Sequence, residues 1–533
     1  MKRRAALQAL SAGAALIGLP MTTAGATSST YRPDPTRASA ASLARDLRAG
    51  RTTALAIAQM HLERIARIDR AGPRINSIIE INPDALPDAR RLDSLARKGQ
   101  WLGPLHGIPV LLKDNIATGD RMQTTAGSLA LEGVRATRDA DIVRQLREAG
   151  ALILAKTNLS EWANIRSSRS TSGWSSRGGL TRNPYALDRN TSGSSSGTAA
   201  AMAASLGVLG VGTETDGSIV SPACRNGLVG LKPTVGRVSR DGIIPISHTQ
   251  DTAGPMTRTV ADAAWLLQAM SARDPRDSAT SAAPPLPDLA TALRPDALRG
   301  ARLGVARNHP SLHAGVNALF EQALSQLREL GAELVDVQAP SPSAWGSDEL
   351  TVLLVELKAG LARWLAEFAP GAQVRTLEDI MAFNEAHAAR VMPHFGQELF
   401  AQARALGGLD SPAYLAALEK CQRLARTEGL EALFARERIA AVLAPSGGLA
   451  SLTDLGAGDH HTGGFSSAAA VAGLPHLTVP MGVVTIPSGV ALPAGLSFVG
   501  PAWSEPALLG FAHAFEQAGR HRRAPQYRRH STA

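Results

Sequence analysis

One local pattern recurs along this chain and restricts what it can fold into. In "DADIVRQLREAGALILAKTNLSE" an amphipathic run stops at Gly150, and a short apolar segment near Ala151–Ala155 follows. "FEQALSQLRELGAELVDVQAP" repeats the order of helix, glycine and apolar strand, and "EGLEALFARERIAAVLAPS" runs from helix to strand in the same way. Apolar residues three and four apart line one face of a helix. A glycine just past the last periodic residue ends that helix. An apolar run of only a few residues then reads as a strand covered on both faces. Helices alternating with short buried strands predict an α/β protein with helices packed on a mixed sheet. Further upstream, "SLARDLRAG" and "TALAIAQMHLERIARIDRAG" are helical in spacing, and each ends at a glycine. The stretch Arg273–Leu289, "RDPRDSATSAAPPLPDL", reads as a surface connection between two parts of one large domain, because helix–strand units continue on both sides.

The first residues read differently. "MKRRAALQALSAGAALIGLP" begins with Lys2, Arg3 and Arg4 and continues as an apolar run of small residues; "TTAGA" follows, with Ala24 and Ala26 in the A-x-A arrangement favoured by signal peptidase. Residues 1–26 are therefore expected to be a cleaved export signal, and residues 27–533 a single large domain that is periplasmic or secreted. The Arg3-Arg4 pair permits twin-arginine export of a prefolded enzyme. No later run is long and apolar enough to span a bilayer, so no stable membrane association is expected after cleavage. Without Lys2, Arg3 and Arg4 the net charge of +9 falls to +6. The C-terminal "GRHRRAPQYRRHSTA" carries five arginines but no interleaved stacking face, so nucleic-acid binding is not expected. The 2 cysteines, Cys224 and Cys421, read as buried free thiols. The compact Asp459-His460-His461 run does not have metal-ligand spacing, and neither a metal nor a cofactor is expected.

Between Leu102 and Val260 the chain is dense in Gly, Ser, Thr and Pro, yet it carries apolar segments that must be buried. Such a region is the place to look for a site. In "HGIPVLLKDN", Ile108–Leu112 reads as a buried strand with Lys113 at its end. A lysine held in a semi-buried cleft loses its proton more easily and can act as a base; a solvated lysine closing a strand is the plainer reading. In "SGSSSGTAAAMAASLGV" the turn runs into an apolar helix from Ala199 to Leu206, which excludes a flexible linker, and no lysine follows Gly197 as a phosphate loop requires. "GSSSG" matches the hydrolase elbow with Ser195 at its centre, but the preceding "RNPYALDRNT" is polar and broken by proline where that elbow needs a buried strand. In "VGTETDGSIVSPACRNGLVGLKPT", Gly217 allows a tight turn, and the N–H groups of Thr215, Asp216, Gly217 and Ser218 can form a concave donor nest. A structural glycine turn before a short helix explains the same residues equally well. A serine nucleophile needs a base. His106 and His248 are available but nothing in the spacing brings them to Ser218, and Lys113 is the other candidate.

Together and in this order, "LLKDN", "SGSSSGTAAA" and "GTETDGSIVSPACRNGLVGLKPT" resemble the amidase signature family of serine amidohydrolases. The likeness extends to "GPLHGIPVLLKDN", "AKTNLSEWAN", "SGWSSRGG", "RDGIIPISHTQDTAGPMTRTVADAA" and "AWSEP", roughly from Ser39 to Arg523, with the signature core at about 102–260. It implies a large, mixed, twisted sheet covered by helices on both faces and a Ser–cis-Ser–Lys triad. Ser218 aligns with the nucleophile, Ser194 with the serine that follows a cis peptide bond from Gly193, and Lys113 with the base; Ser195 and Gly193 are supporting residues. The backbone of Thr215, Asp216, Gly217 and Ser218 aligns with the oxyanion hole. Glu214 and Asp216 depart from the general family pattern, which has Asp and Gly there, and the peptide amidase subgroup shares the departure. The implied activity is hydrolysis of carboxamides to a carboxylic acid and ammonia, with C-terminal peptide amides as substrates. A general amidase acting on aliphatic or aryl amides, or a glutaminase-type amidotransferase subunit, is the alternative; the latter works in the cytoplasm, which the export signal argues against.

Overall fold

A computed structural model of the chain describes residues 33–460 and 462–530; the export segment expected at residues 1–26 lies outside them. The described residues belong to one compact unit. Thirteen strands occur in chain order: β1 (Ile78–Ile81), β2 (Pro109–Lys113), β3 (Leu152–Thr157), β4 (Trp174–Ser175), β5 (Gly179–Leu180), β6 (Leu209–Glu214), β7 (Val229–Lys232), β8 (Thr252–Thr257), β9 (Arg302–Ala306), β10 (Glu333–Val337), β11 (Ala441–Pro445), β12 (His476–Thr485) and β13 (Ala491–Val499). Eleven of them form one sheet in the order β1-β3-β2-β6-β8-β7-β12-β13-β11-β9-β10, and β4 pairs with β5 as a small hairpin. Within the sheet β3, β2 and β6 run parallel, as do β11, β9 and β10, whereas the strands between these groups pair antiparallel. The sheet is therefore mixed, as the sequence pattern predicts.

Every residue of β2, β3, β6, β7, β8 and β11 is buried. Successive strand residues point to opposite faces, so complete burial means that both faces are covered. The helices Ser196–Ala203, Val260–Met270 and Ala314–Glu329 pack on these strands, and Glu505–Gly519 packs on β12 and β13.

The helix-to-strand pattern is realised with small shifts. Helix Asp141–Glu148 is followed by Gly150 at φ 85° and then β3, and helix Ala314–Glu329 by Gly331 at φ 91° and then β10. The third repeat stops differently, at Arg438 in the left-handed conformation (φ 52°), before β11. The strand predicted at Ile108–Leu112 begins one residue later and takes in Lys113. The linker-like stretch Arg273–Leu289 is tied down by side chains. Ser239 Oγ donates to Asp274 (2.7 Å), the amide and Nε of Arg240 donate to Asp277 (2.8 Å each), and Arg237 donates to the Pro284 carbonyl (2.8 Å). Its composition is that of a linker, but its aspartates and their partners make it a fixed strap.

Candidate active site

Parallel strands β3, β2 and β6 end together, and the candidate site lies at their carboxyl ends, where α/β sheets commonly carry their sites. Lys113 closes β2, Thr157 closes β3, and Thr213 and Glu214 close β6. Three lysines of the protein, Lys113, Lys156 and Lys232, are completely buried. Burial penalises the ammonium, so each needs an explanation. Lys156 donates to the carbonyls of Ile116 (2.6 Å) and Gln123 (3.3 Å) and to Thr124 Oγ1 (3.1 Å), with Asp114 nearby. Lys232 faces Glu214, Glu505 and Asp216. Lys113 is the one of the three that meets a serine: its Nζ lies 2.8 Å from Ser194 Oγ, 2.9 Å from Thr213 Oγ1 and 3.2 Å from the Thr213 carbonyl. Among the described residues no carboxylate is bonded to it; Asp251 and Glu214 act on it across space. Burial outweighs their attraction and pulls its pKa down to about 7.

Ser194 is fully buried and follows a cis peptide bond from Gly193. The turn that carries it is held from every side. Asn190 accepts the Ser192 amide, Ser196 Oγ donates to the Ser192 carbonyl (2.7 Å), and the Ser160 amide donates to the Ser194 carbonyl (3.1 Å). Helix Ser196–Ala203 then leads away, buried throughout. A Cβ at Gly193 would collide with the hydroxyls of Ser160 and Ser172, so only glycine fits there. Ser195 is a bridge. Its hydroxyl donates to the Thr213 carbonyl (3.1 Å) and accepts from the Thr213 amide (3.2 Å), and its own amide donates to the Ser218 carbonyl (3.2 Å). No buried strand precedes it, so the elbow reading of Ser195 has no structural basis.

The strand–turn–helix element of the site is instead β6, residues 215–218 and the helix Val220–Arg225. Gly217 takes φ +79°, a conformation that needs glycine. Among the described residues, the amides of Asp216, Gly217 and Ser218 donate to no protein acceptor. Glu214 receives the next two, from Ile219 (2.7 Å) and Val220 (2.9 Å), and so anchors the far side of the turn. Thr215 Oγ1 donates to Asp251 (2.5 Å), whose other oxygen accepts the amides of Ile246 (2.8 Å) and Ser247 (2.9 Å). Ser192 Oγ and Ser221 Oγ lie 2.8 Å apart and join the two serine stretches directly. Ser218 is half-buried, whereas Lys113 and Ser194 are wholly enclosed. Of the three, Ser218 is therefore the one that is partly exposed. Among the described residues no hydrogen bond joins the hydroxyls of Ser194 and Ser218; such contacts often close only around bound substrate.

The histidines lie apart. His106 bonds the Leu92 carbonyl (3.1 Å) and the Leu102 amide (3.2 Å), and exposed His248 pairs with Glu356 (3.4 Å). Among the described residues no group of three or more His, Cys, Asp or Glu is arranged to hold a metal; His461 lies outside them. Asp459 instead accepts from the Ser172 amide (2.9 Å) and Asn190 (2.8 Å). Cys224 and Cys421 are buried and free.

The amidase family model matches residues 61–509. The chain belongs to the amidase signature family. It is a hydrolase of carboxamide C–N bonds. The crystal structure of the peptide amidase from Stenotrophomonas maltophilia is 50% identical, covers 92% of this chain and 99% of its own, and superposes with a TM-score of 0.88. A probable amidase of Arabidopsis thaliana is 39% identical over 488 residues, 90% of this chain and 89% of its own length. A glutamyl-tRNA(Gln) amidotransferase component of Symbiobacterium thermophilum is 34% identical over 504 residues, 91% of this chain and 98% of its own length. Several parts of this amidase site are silent in its sequence. Thr213 touches both Lys113 and Ser195, and Asn115 donates to the same threonine (3.0 Å). A polar residue ending a buried strand is the one hint that points to Thr213.

Proposed function

We propose that the protein is an exported serine amidase that removes the amide group from peptide C-termini, with Ser218 as nucleophile, Ser194 as proton relay and Lys113 as base. The observation that carries the reading is the 2.8 Å approach of Lys113 Nζ to Ser194 Oγ in a site without a paired carboxylate. A lysine with its pKa near 7 is a substantially neutral amine at physiological pH, with a lone pair free to accept a proton.

Lys113 accepts the Ser194 proton as Ser194 accepts that of Ser218. The freed Ser218 oxygen attacks the carboxamide carbon. The amides of Thr215, Asp216, Gly217 and Ser218 receive the developing oxyanion, and losing one such donor typically costs about 10²–10³-fold in rate. The C–N bond then breaks as the relay returns a proton to the leaving nitrogen, which departs as ammonia. Water attacks the Ser218 ester, gives its proton to the same relay, and releases the carboxylic acid. An amine leaves poorly unless protonated, so the relay is as important in the second half of acylation as in the first.

Peptide amides are favoured as substrates by the 50% identity to the Stenotrophomonas maltophilia peptide amidase, spread over 92% of the chain. Export is supported by the basic start at Lys2–Arg4, the apolar run and the Ala24-x-Ala26 site. An amidotransferase component is the second reading, because the likeness to such proteins also spans most of the chain. The test is ammonia release by the purified chain from a C-terminally amidated dipeptide, without ATP or other proteins. Turnover supports the peptide amidase reading. Glutamine hydrolysis that appears only with partner proteins favours the amidotransferase reading.

A further inference from the structure

Asp216 supplies one amide to the proposed oxyanion nest, but its side chain needs its own explanation. Its Oδ1 is buried and meets no donor in hydrogen-bonding geometry. Around the carboxyl stand Ser466, Ser467 and Glu349, the last on the long helix Gly346–Phe368. Ser467 has one hydroxyl proton, and it donates that proton to Glu349 Oε2 (3.3 Å) while accepting from Trp345 Nε1 (3.1 Å). Gln250 donates to Glu349 Oε1 (3.1 Å) and also reaches the Thr215 carbonyl (3.4 Å). The two carboxyl groups therefore stand together, with Ser467 and Gln250 directed at Glu349 and Ser466 beside Asp216. Two carboxylates in contact are both acceptors only; a bond forms between them when one carries a proton.

Charge counting leads to the same place. Lys232 of β7 is the cation facing Asp216, and it is shared with Glu214 of β6 and with Glu505. On the other side, Cys421 of the helix Pro412–Cys421 lies within electrostatic reach of Glu349 and Asp348. One lysine cannot compensate every carboxylate around it. Burial, and then the mutual repulsion of the two groups, holds the Glu349 carboxyl above the ordinary range, and burial raises that of Asp216.

We infer that Asp216 and Glu349 share a single proton, and that this bond ties the 215–218 turn to the long helix and limits the charge beside the oxyanion to one. This assignment rests on the proposed role of the 215–218 amides. Glu349 is a positioning residue: it acts through Asp216 and does not touch the substrate. An ionised pair would place two negative charges next to the amides that must receive a third.

The pair holds its proton at neutral pH and loses it as pH rises, so the wild-type kcat should fall on the alkaline side. The test is the pH profile of kcat and KM for an amidated dipeptide, with thermal melts as a folding check. In Glu349→Gln the amide donates to Asp216 at every pH. It should keep kcat near neutrality within about threefold and lose the alkaline fall. Glu349→Ala, which leaves the turn untied, should lower kcat by about 10–100-fold with little change in KM. If Glu349→Gln keeps the wild-type alkaline fall, or loses as much activity as Glu349→Ala, the shared proton is wrong. If Glu349→Gln does not fold, Asp216→Asn gives the same comparison, because its amide donates to Glu349; an unchanged alkaline fall there overturns the inference as well. Ser218→Ala separates the two claims: if that variant stays active, the reading of the site fails whatever Glu349 does.

Discussion

Lys113 is held by neutral groups, two oxygens of Thr213 and one of Ser194, in a fully buried place. That environment is what the proposed role of base requires of an ordinarily protonated side chain. With the neutral form as the active one in the proposed relay, kcat/KM should rise with pH through about 7, ahead of the alkaline fall assigned to the Asp216–Glu349 pair. A profile that is flat from pH 5 to 8 would count against Lys113 as the base. Gly217 is the other residue on which the site turns. Its φ of +79° disfavours any side chain, and a Cβ would approach Ser466 Oγ to 2.9 Å. Gly217→Ala should therefore distort the amide nest and lower kcat by about 10²-fold, the usual effect of losing one oxyanion donor, while KM changes little. Steady-state kinetics beside a melting curve reads both.

At the scale of elements, the site is a meeting of two turns on one sheet. The serine turn enters helix Ser196–Ala203, the Gly217 turn leaves β6, and Ser195 and Ser192 bond them together. Next in sequence to Ser160, whose amide holds the Ser194 carbonyl, comes a buried ion pair. Arg166 and Glu161 are both fully enclosed at 2.6 Å; Arg166 also donates to the Val391 carbonyl (2.8 Å), and the Ser176 amide donates to Glu161 (2.5 Å). Removing one partner leaves a buried charge without compensation. Arg166→Met should cost about 3–5 kcal/mol of stability by denaturant unfolding, and adding Glu161→Gln should recover part of it. Much at this scale is legible in the sequence. Gly150 and Gly331 end their helices as their position after a periodic run predicts, and β2 and β3 fall within two residues of the expected strands. Arg438 shows where such reading stops: a left-handed arginine has no sequence mark. Arg273–Leu289 shows why composition misleads, since the partners of Asp274 and Asp277 lie on a segment more than thirty residues upstream, about Ser239 and Arg240.

At the scale of the whole molecule, the sheet order brings strands from both halves of the chain side by side: β7, with Lys232 at its end, pairs with β12. The long helix that carries Glu349 reaches the Gly217 turn only through the tertiary fold. The short stretches that hold Lys113, Ser194 and Ser218 are singled out through the family resemblance, and the contact of Lys113 with Ser194 spans 81 positions. The pairing of Asp216 with Glu349 is not legible in the sequence, because no local spacing encodes it. The export reading has its own check: protein recovered from the producing cell's envelope or medium should begin at Thr27, and an intact Met1 would contradict it. The central claim is that a buried neutral lysine drives the serine relay. Replacing Lys113 by alanine and measuring amide turnover on protein that melts as wild type does tests it most directly. The account predicts a loss of about 10²–10⁴-fold, the share of a general base. Activity that survives in Lys113→Ala, and disappears instead on replacing His106 or His248, would contradict it.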